Sequence, residues 1–186
     1  MSELHTGIAV TTVRSRLIER IRSAIASLDM VGQVDLEGEV DVEADTASID
    51  SSVYVVMVVG DDEVVEQRQS GLVEKAFGVA LVAALPTGDV PQNQNGADPG
   101  ALASPAQIAS EFCSRVSLLY ATESPSAEGP DWGTQWGGLA VKTDELGGGG
   151  VGFEEGRAVT SHALRITYRH WYGDPSRAPS EPAGGG

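Results

Sequence analysis

The sequence predicts an α+β domain in which two helices pack on a mostly antiparallel β-sheet, with long loops and a flexible C-terminal tail. Two segments carry apolar residues at helical spacing, and several others are β-branched or alternate between apolar and polar residues. The chain has 186 residues, 41% of them hydrophobic, which suits one domain with a core better than two. We expect a flexible N-terminus over residues 1–10, one domain over 11–172 and a flexible C-terminal arm over 173–186.

The first helix is predicted in "TTVRSRLIERIRSAIASLD", with Thr11 or Thr12 as its N-cap. The apolar residues at helical spacing are Val13, Leu17, Ile21, Ala24, Ile25 and Leu28. The polar side carries the arginines Arg14, Arg16, Arg20 and Arg22. These arginines are either a solvated face that pairs with Glu19 or with nearby acidic residues, or a docking patch for an acidic partner.

The second helix is predicted to begin at a capping box in "SPAQIASEFCSRVSLLYA". Ser104 is the N-cap, Pro105 occupies the first helical position and Gln107 the third. The apolar stripe consists of Ile108, Phe112, Val116 and Leu119. Cys113, the single cysteine, lies beside this stripe and is interpreted as a small core residue rather than a nucleophile.

Three segments predict the main strands. The apolar run from Val53 to Val59 is typical of a central strand buried on both faces. A second strand, antiparallel to the first, is predicted to end at Pro86, because every other residue before it is apolar. These apolar residues are Phe77, Val79, Leu81, Ala83 and Leu85. A short strand "GLAVKTD" and a hairpin connection "ELGGGGVG" precede the last strand. In the last strand Leu164, Ile166 and Tyr168 alternate with Arg165, Thr167 and Arg169.

An acidic segment, "VDLEGEVDVE", precedes the first central strand. If it is extended, one face carries carboxylates about 7 Å apart. These residues are Asp35, Glu37, Glu39, Asp41 and Glu43. That spacing is too wide to wrap one calcium ion, so the row is either a solvated face or a surface that repels something. Gly38 interrupts the row where a bulge could bend the strand.

Two tryptophans, Trp132 and Trp136, lie in the polar connection between residues 121 and 138. They are either lids on the core or anchors for a partner. The segment from Pro86 to Ser104 is rich in Gly, Pro, Asn and Asp and predicts a long contact loop.

Composition and motifs disfavour several classes of function. Twelve basic against 27 acidic residues give a net charge of −15, which opposes general nucleic-acid affinity. One cysteine excludes an intramolecular disulfide and a four-cysteine zinc site. The histidines His5, His162 and His170 lack metal-ligand spacing, and the sequence contains neither a P-loop nor a G-x-S-x-G elbow. We therefore expect no enzyme, cofactor, metal or membrane span.

The order of elements resembles that of the tail terminator, or tail completion, proteins of long-tailed phages and phage-tail-like particles. The resemblance covers residues 13–172 and is carried by "VEQRQSGLVEKAFGVALVAAL", "IASEFCSRVSLLYA" and "GGLAVKTDE" before the terminal strand. It implies a homohexameric ring that caps the tail tube, ends its polymerisation and forms part of the head–tail junction. The acidic segment, the loop before the second helix and the tail "APSEPAGGG" depart from the family pattern.

The resemblance also implies partners and a location. The partners are further copies of the chain, the tail tube protein, a neck or connector protein and a sheath protein. DNA passes through the ring without specific binding, and an acidic channel wall would keep its phosphates from sticking. The protein is then made in the cytoplasm of a bacterial host and resides in the virion, at the tail end of the head–tail junction.

Two other classes stay open at this point. One is another neck, connector or tube ring protein, and the other is a stand-alone acidic binding module.

Overall fold

The computed structural model describes residues 12–37, 52–68, 70–86, 104–121, 135–154 and 157–179. Within them the chain forms two helices and six strands. In chain order these are α1 Val13–Ala26, β1 Val31–Leu36, β2 Val53–Val59, β3 Glu63–Gln67, β4 Leu72–Ala84, α2 Pro105–Ala121, β5 Ala140–Glu154 and β6 Arg157–Trp171. The predicted α+β class is confirmed.

The strands form a single sheet in the order β1-β2-β4-β6-β5. The β1–β2 pair is parallel and the other pairs are antiparallel, including the predicted pairing of β2 with β4. β3 pairs with residues 73–76 of β4, and β2 pairs with residues 79–84 of the same strand. Both strands therefore lie on the same side of β4. β3 was not predicted, because "DDEVVEQRQSG" contains the polar and glycine residues of a turn.

Both helices pack on one face of the sheet. The inward residues of β4 and β6 are buried there, and they include Phe77, Val79, Leu81, Ala83, Leu164, Ile166 and Tyr168. The β2 side chains that point to the other face of the sheet are only half-buried. They are those of Tyr54, Val56 and Val58. The prediction that β2 is buried on both faces is therefore wrong, because α1 and α2 both join the core on the other side.

The helix caps form as the sequence predicts. The Thr12 hydroxyl accepts a hydrogen bond from the Ser15 amide at 3.1 Å, and Ser15 Oγ accepts one from the Thr12 amide at 2.9 Å. At α2 the Ser104 amide donates to Gln107 Oε1 at 2.8 Å, and the Gln107 amide donates to Ser104 Oγ at 3.3 Å. Each pair satisfies amides that the first helical turn leaves without partners. The buried stripe of α2 ends on Tyr120 rather than on Leu119.

The glycine-rich segment is not a hairpin connection. It lies inside β5, where Gly147 pairs with Ala163 and Gly148 with His162. A Cβ atom on Gly148 would lie 2.7 Å from His162 Nδ1 and 2.6 Å from the Ser161 carbonyl oxygen. Glycine at this position therefore permits a close approach between strands rather than a reversal of the chain.

The acidic strand is shorter than predicted and begins earlier. β1 ends at Leu36 and Glu37 lies in a turn, so only Asp35 of the predicted acidic row belongs to a strand in the described residues. Residues 38–51, with Glu39, Asp41 and Glu43, lie outside the described residues, as do residues 1–11 and 87–103.

The residues that follow β6 belong to the folded domain. The Pro175 carbonyl accepts a hydrogen bond from the Val13 amide at 2.8 Å, Ala178 is 1% exposed, and the Arg177 guanidinium lies 5.0 Å from the centre of the Trp171 ring. The prediction that a flexible arm begins at residue 173 is therefore wrong, since the packed chain continues to Pro179. Residues 180–186 lie outside the described residues.

Truncation tests this extension of the domain. Removal of residues 174–186 eliminates the backbone hydrogen bonds that Val13 and Trp171 donate to Pro175 and Arg177, the bond from Arg16 to the Ser176 carbonyl, one cation–π contact and the burial of Ala178. We expect a loss of about 2 kcal/mol, which lowers the thermal midpoint by roughly 4–8 °C. Removal of residues 180–186 alone is the matched control and should change the midpoint little, because "SEPAGGG" offers little apolar area to bury. Equal midpoints for the two truncations, measured by circular dichroism, would contradict this account.

Candidate functional site

The arginines of α1 hold the helix against the sheet. Arg14 Nε lies 3.1 Å from the Asp62 carboxylate, its Nη2 donates to the Gly60 carbonyl at 2.7 Å, and its guanidinium lies 5.3 Å from the centre of the Phe77 ring. Asp62 also accepts a hydrogen bond from the Tyr168 hydroxyl at 2.9 Å. Arg14 therefore fixes the start of α1 to the connection between β2 and β3.

Arg16 and Arg22 also have partners within the chain. Arg16 Nη1 donates to the Ser176 carbonyl at 3.3 Å, and Arg22 Nε donates to the Val34 carbonyl at 3.2 Å. These contacts agree with the interpretation that the arginines pair within the chain, and a docking role for Arg14, Arg16 and Arg22 stays a prediction. Arg20 is exposed, and its proposed docking role stays a prediction.

Asp35 does not belong to an open row of carboxylates. It accepts hydrogen bonds from Tyr54 at 2.9 Å and from Gln33 at 2.7 Å, and it lies 4.0 Å from Arg22. Burial, and then the hydrogen bond to Asp35, raise the pKa of Tyr54 to about 12, so the phenol stays protonated and donates. These contacts hold Asp35 within the fold, and its place in a channel wall stays a prediction. Glu37 is exposed and stays a candidate.

Trp136 is part of the core. It is 1% exposed, its Nε1 donates to Thr143 Oγ1 at 2.9 Å, and its ring centre lies 5.8 Å from that of Tyr120. Of the two interpretations of this tryptophan, the lid on the core is confirmed and the partner anchor is wrong. Trp132 lies outside the described residues.

A groove of about 580 Å³ runs between α2 and β5. Its walls are formed by Ser110, Cys113, Ser114, Ser117, Leu118, Ala121, Glu145, Gly148 and Gly149. Glu145 accepts a hydrogen bond from Ser117 Oγ at 3.1 Å. Sequence reasoning missed this groove because it treated the glycine run as a turn, whereas the run places a flat strand beside the helix.

Two titratable side chains at or beneath the groove have shifted pKa values. Burial, and then the Glu145 charge, raise the pKa of the Cys113 thiol, which disfavours a thiolate nucleophile. His162 lies directly beneath Gly148, is 0% exposed, and has no hydrogen-bond partner on either ring nitrogen. Its Nδ1 lies 3.8 Å from Glu145, but burial dominates and lowers the pKa of His162.

Metal chemistry has no support in the described ranges. Within them, no group of three or more His, Cys, Asp or Glu side chains could hold a metal ion.

A second candidate surface within the described residues is the face of the sheet on which neither helix packs, which we call the uncovered face. It consists of Tyr54, Val56, Val58, Gly78, Ala80, Val82, Ala84, Val159, Ser161 and Ala163. The valines and alanines of this set are half-buried. An apolar patch on a chain with a net charge of −15 is a candidate interaction surface.

No protein-family model matches the chain, and a search of curated proteins finds no match. Neither helix in the described part of the chain is long and apolar enough to span a membrane.

Substitution of Trp136 separates a core role from a docking role. We expect Trp136→Ala to lower the free energy of unfolding by about 3–5 kcal/mol, because it leaves a large cavity and removes the bond to Thr143. Tyr172→Ala is the matched control, since Tyr172 is 70% exposed. Urea unfolding of both variants measures the effect, and similar small losses would show that Trp136 does not support the core.

Burial of His162 predicts a loss of stability in mild acid. Its pKa is lower in the folded chain than in the unfolded chain, so it does not affect stability above the unfolded pKa of about 6.5. As the pH falls below that value, the unfolded chain takes up the proton first, and stability declines by at most about 1.4 kcal/mol per pH unit until the folded pKa is reached.

A variant without the imidazole tests this assignment. We expect His162→Leu to lose less stability than the wild type between about pH 7 and about pH 5, in urea unfolding at each pH. Identical pH slopes for the two proteins would contradict it.

Proposed function

We propose that this protein is a tail terminator: a ring-forming protein that caps the tube of a phage tail or a related particle and ends its polymerisation. The order of elements carries the proposal. The chain runs α1-β1-β2-β3-β4-α2-β5-β6, with both helices on one face of a mostly antiparallel sheet. Two helices packed on a mostly antiparallel sheet are what the resemblance to tail terminator proteins implies, although β3 was not part of the expected order.

The uncovered face supports an assembly role. Rings need surfaces on each subunit that are apolar enough to be buried by the neighbour. The uncovered face and part of the exposed apolar surface, including the side chain of Phe153, supply such surfaces.

The chemistry of the α2–β5 groove also fits a role without turnover. The raised pKa of the Cys113 thiol and the lowered pKa of His162 both favour neutral groups at pH 7. An uncharged thiol and imidazole are less reactive than a thiolate–imidazolium pair. The groove therefore adds no support for an activated thiolate nucleophile.

Electron microscopy of particles tests the terminator function. Deletion of the coding sequence from the locus that produces the particles should give tails longer than the wild-type distribution, because nothing then stops the tube from growing. Restoring the gene in trans is the control and should return the length to normal. Tails of normal length that are detached from heads would instead assign the protein to the neck or connector.

A further inference from the structure

We propose that the uncovered face is the contact between neighbouring copies, and that it receives the tip of the β5–β6 hairpin, with Phe153, from the next copy. The inference rests on the proposed function, because it explains how a ring is closed. Phe153 is 74% exposed and pairs with Ala158, close to the connection between β5 and β6. This pair lies beyond the end of the β4–β6 pairing, whose last residue pair is Ala84 with Val159.

The uncovered face is flat at its centre. The strand registers align Val56, Val82 and Ser161 in one row and Val58, Ala80, Ala163 and Gly147 in the next. Small side chains in adjacent rows let an aromatic ring lie close to the sheet. An exposed phenylalanine from another copy can therefore bury most of its area there, as large aromatic anchors do at the centres of interfaces.

The charges around the face favour a second copy as the occupant. Arg165 pairs with Glu63, Arg169 lies 2.7 Å from Glu74, and Asp35 is held by Tyr54 and Arg22. A strongly acidic or basic partner would gain little from charges that are already paired. Two copies of a chain with a net charge of −15 repel each other least where the contact carries no unpaired charge.

The size of the face predicts weak association of free copies. Three strands about 4.8 Å apart and about six residues of 3.3 Å each give roughly 300 Å². A stable interface buries about 800 Å² on each partner. A head-to-tail contact of this size holds poorly in a pair, but a ring gives every copy two such contacts. Free protein is then mostly monomeric at low concentration and forms larger species at high concentration.

Complementation between two variants tests a head-to-tail contact. Val82→Lys disrupts the uncovered face, and Phe153→Ser disrupts the tip of the hairpin. Each variant alone should associate at least about tenfold more weakly than the wild type. Sedimentation velocity at the highest soluble concentration measures this association. Mixed together, they should form dimers that grow no further, because each dimer joins one intact face to one intact tip. Val64→Lys is the matched control: Val64 is 63% exposed, lies on β3, and should associate like the wild type.

Several outcomes would overturn the proposal. These are a wild-type chain that stays monomeric at every concentration, a mixture that does not form dimers, and a control that loses association as fully as Val82→Lys. Thermal unfolding checks that each variant folds, and Val82→Thr provides a milder change at the same position. If the variants behave as expected but deletion of the gene leaves tail length unchanged, the terminator function fails and the contact stands.

Discussion

The pairing of β4 with β6 is the interaction on which the rest of this structure depends. It joins thirteen consecutive residue pairs, from Leu72 with Trp171 to Ala84 with Val159. Because side chains alternate between faces, this register places Leu81 and Leu164 under the helices and Val82 and Ala163 on the uncovered face. A slip of one residue would exchange the core for the outer surface.

Contacts at both ends of this pair maintain the register. Glu74 and Arg169 are directly opposite in the register and form an ion pair at 2.7 Å, with side chains 15% and 8% exposed. Near the other end, His162 pairs with Leu81 on one side and with Gly148 on the other, and only glycine leaves room for its ring. The same register thus determines the core, the groove beside α2 and the uncovered face.

Local patterns in the sequence predicted the helices and the principal strands, because spacing and capping residues are local properties. They did not predict β3 or the strand character of the glycine run, since both depend on pairing with distant residues. The packing of residues 173–179 likewise depends on Val13, far away in the chain. The functional candidates followed the same rule: the sequence left two interpretations open for Arg14 and Trp136, because their partners, Asp62 and Thr143, are brought to them only by the fold.

We propose that copies of this chain form a ring at the head-proximal end of a tail tube. Cryo-electron microscopy of intact particles tests this proposal most directly. The account predicts one closed ring of density at that end, into which the fold fits with the uncovered face buried between neighbouring copies. Density for this fold repeated along the tube, or a ring whose uncovered faces point to solvent, would contradict it.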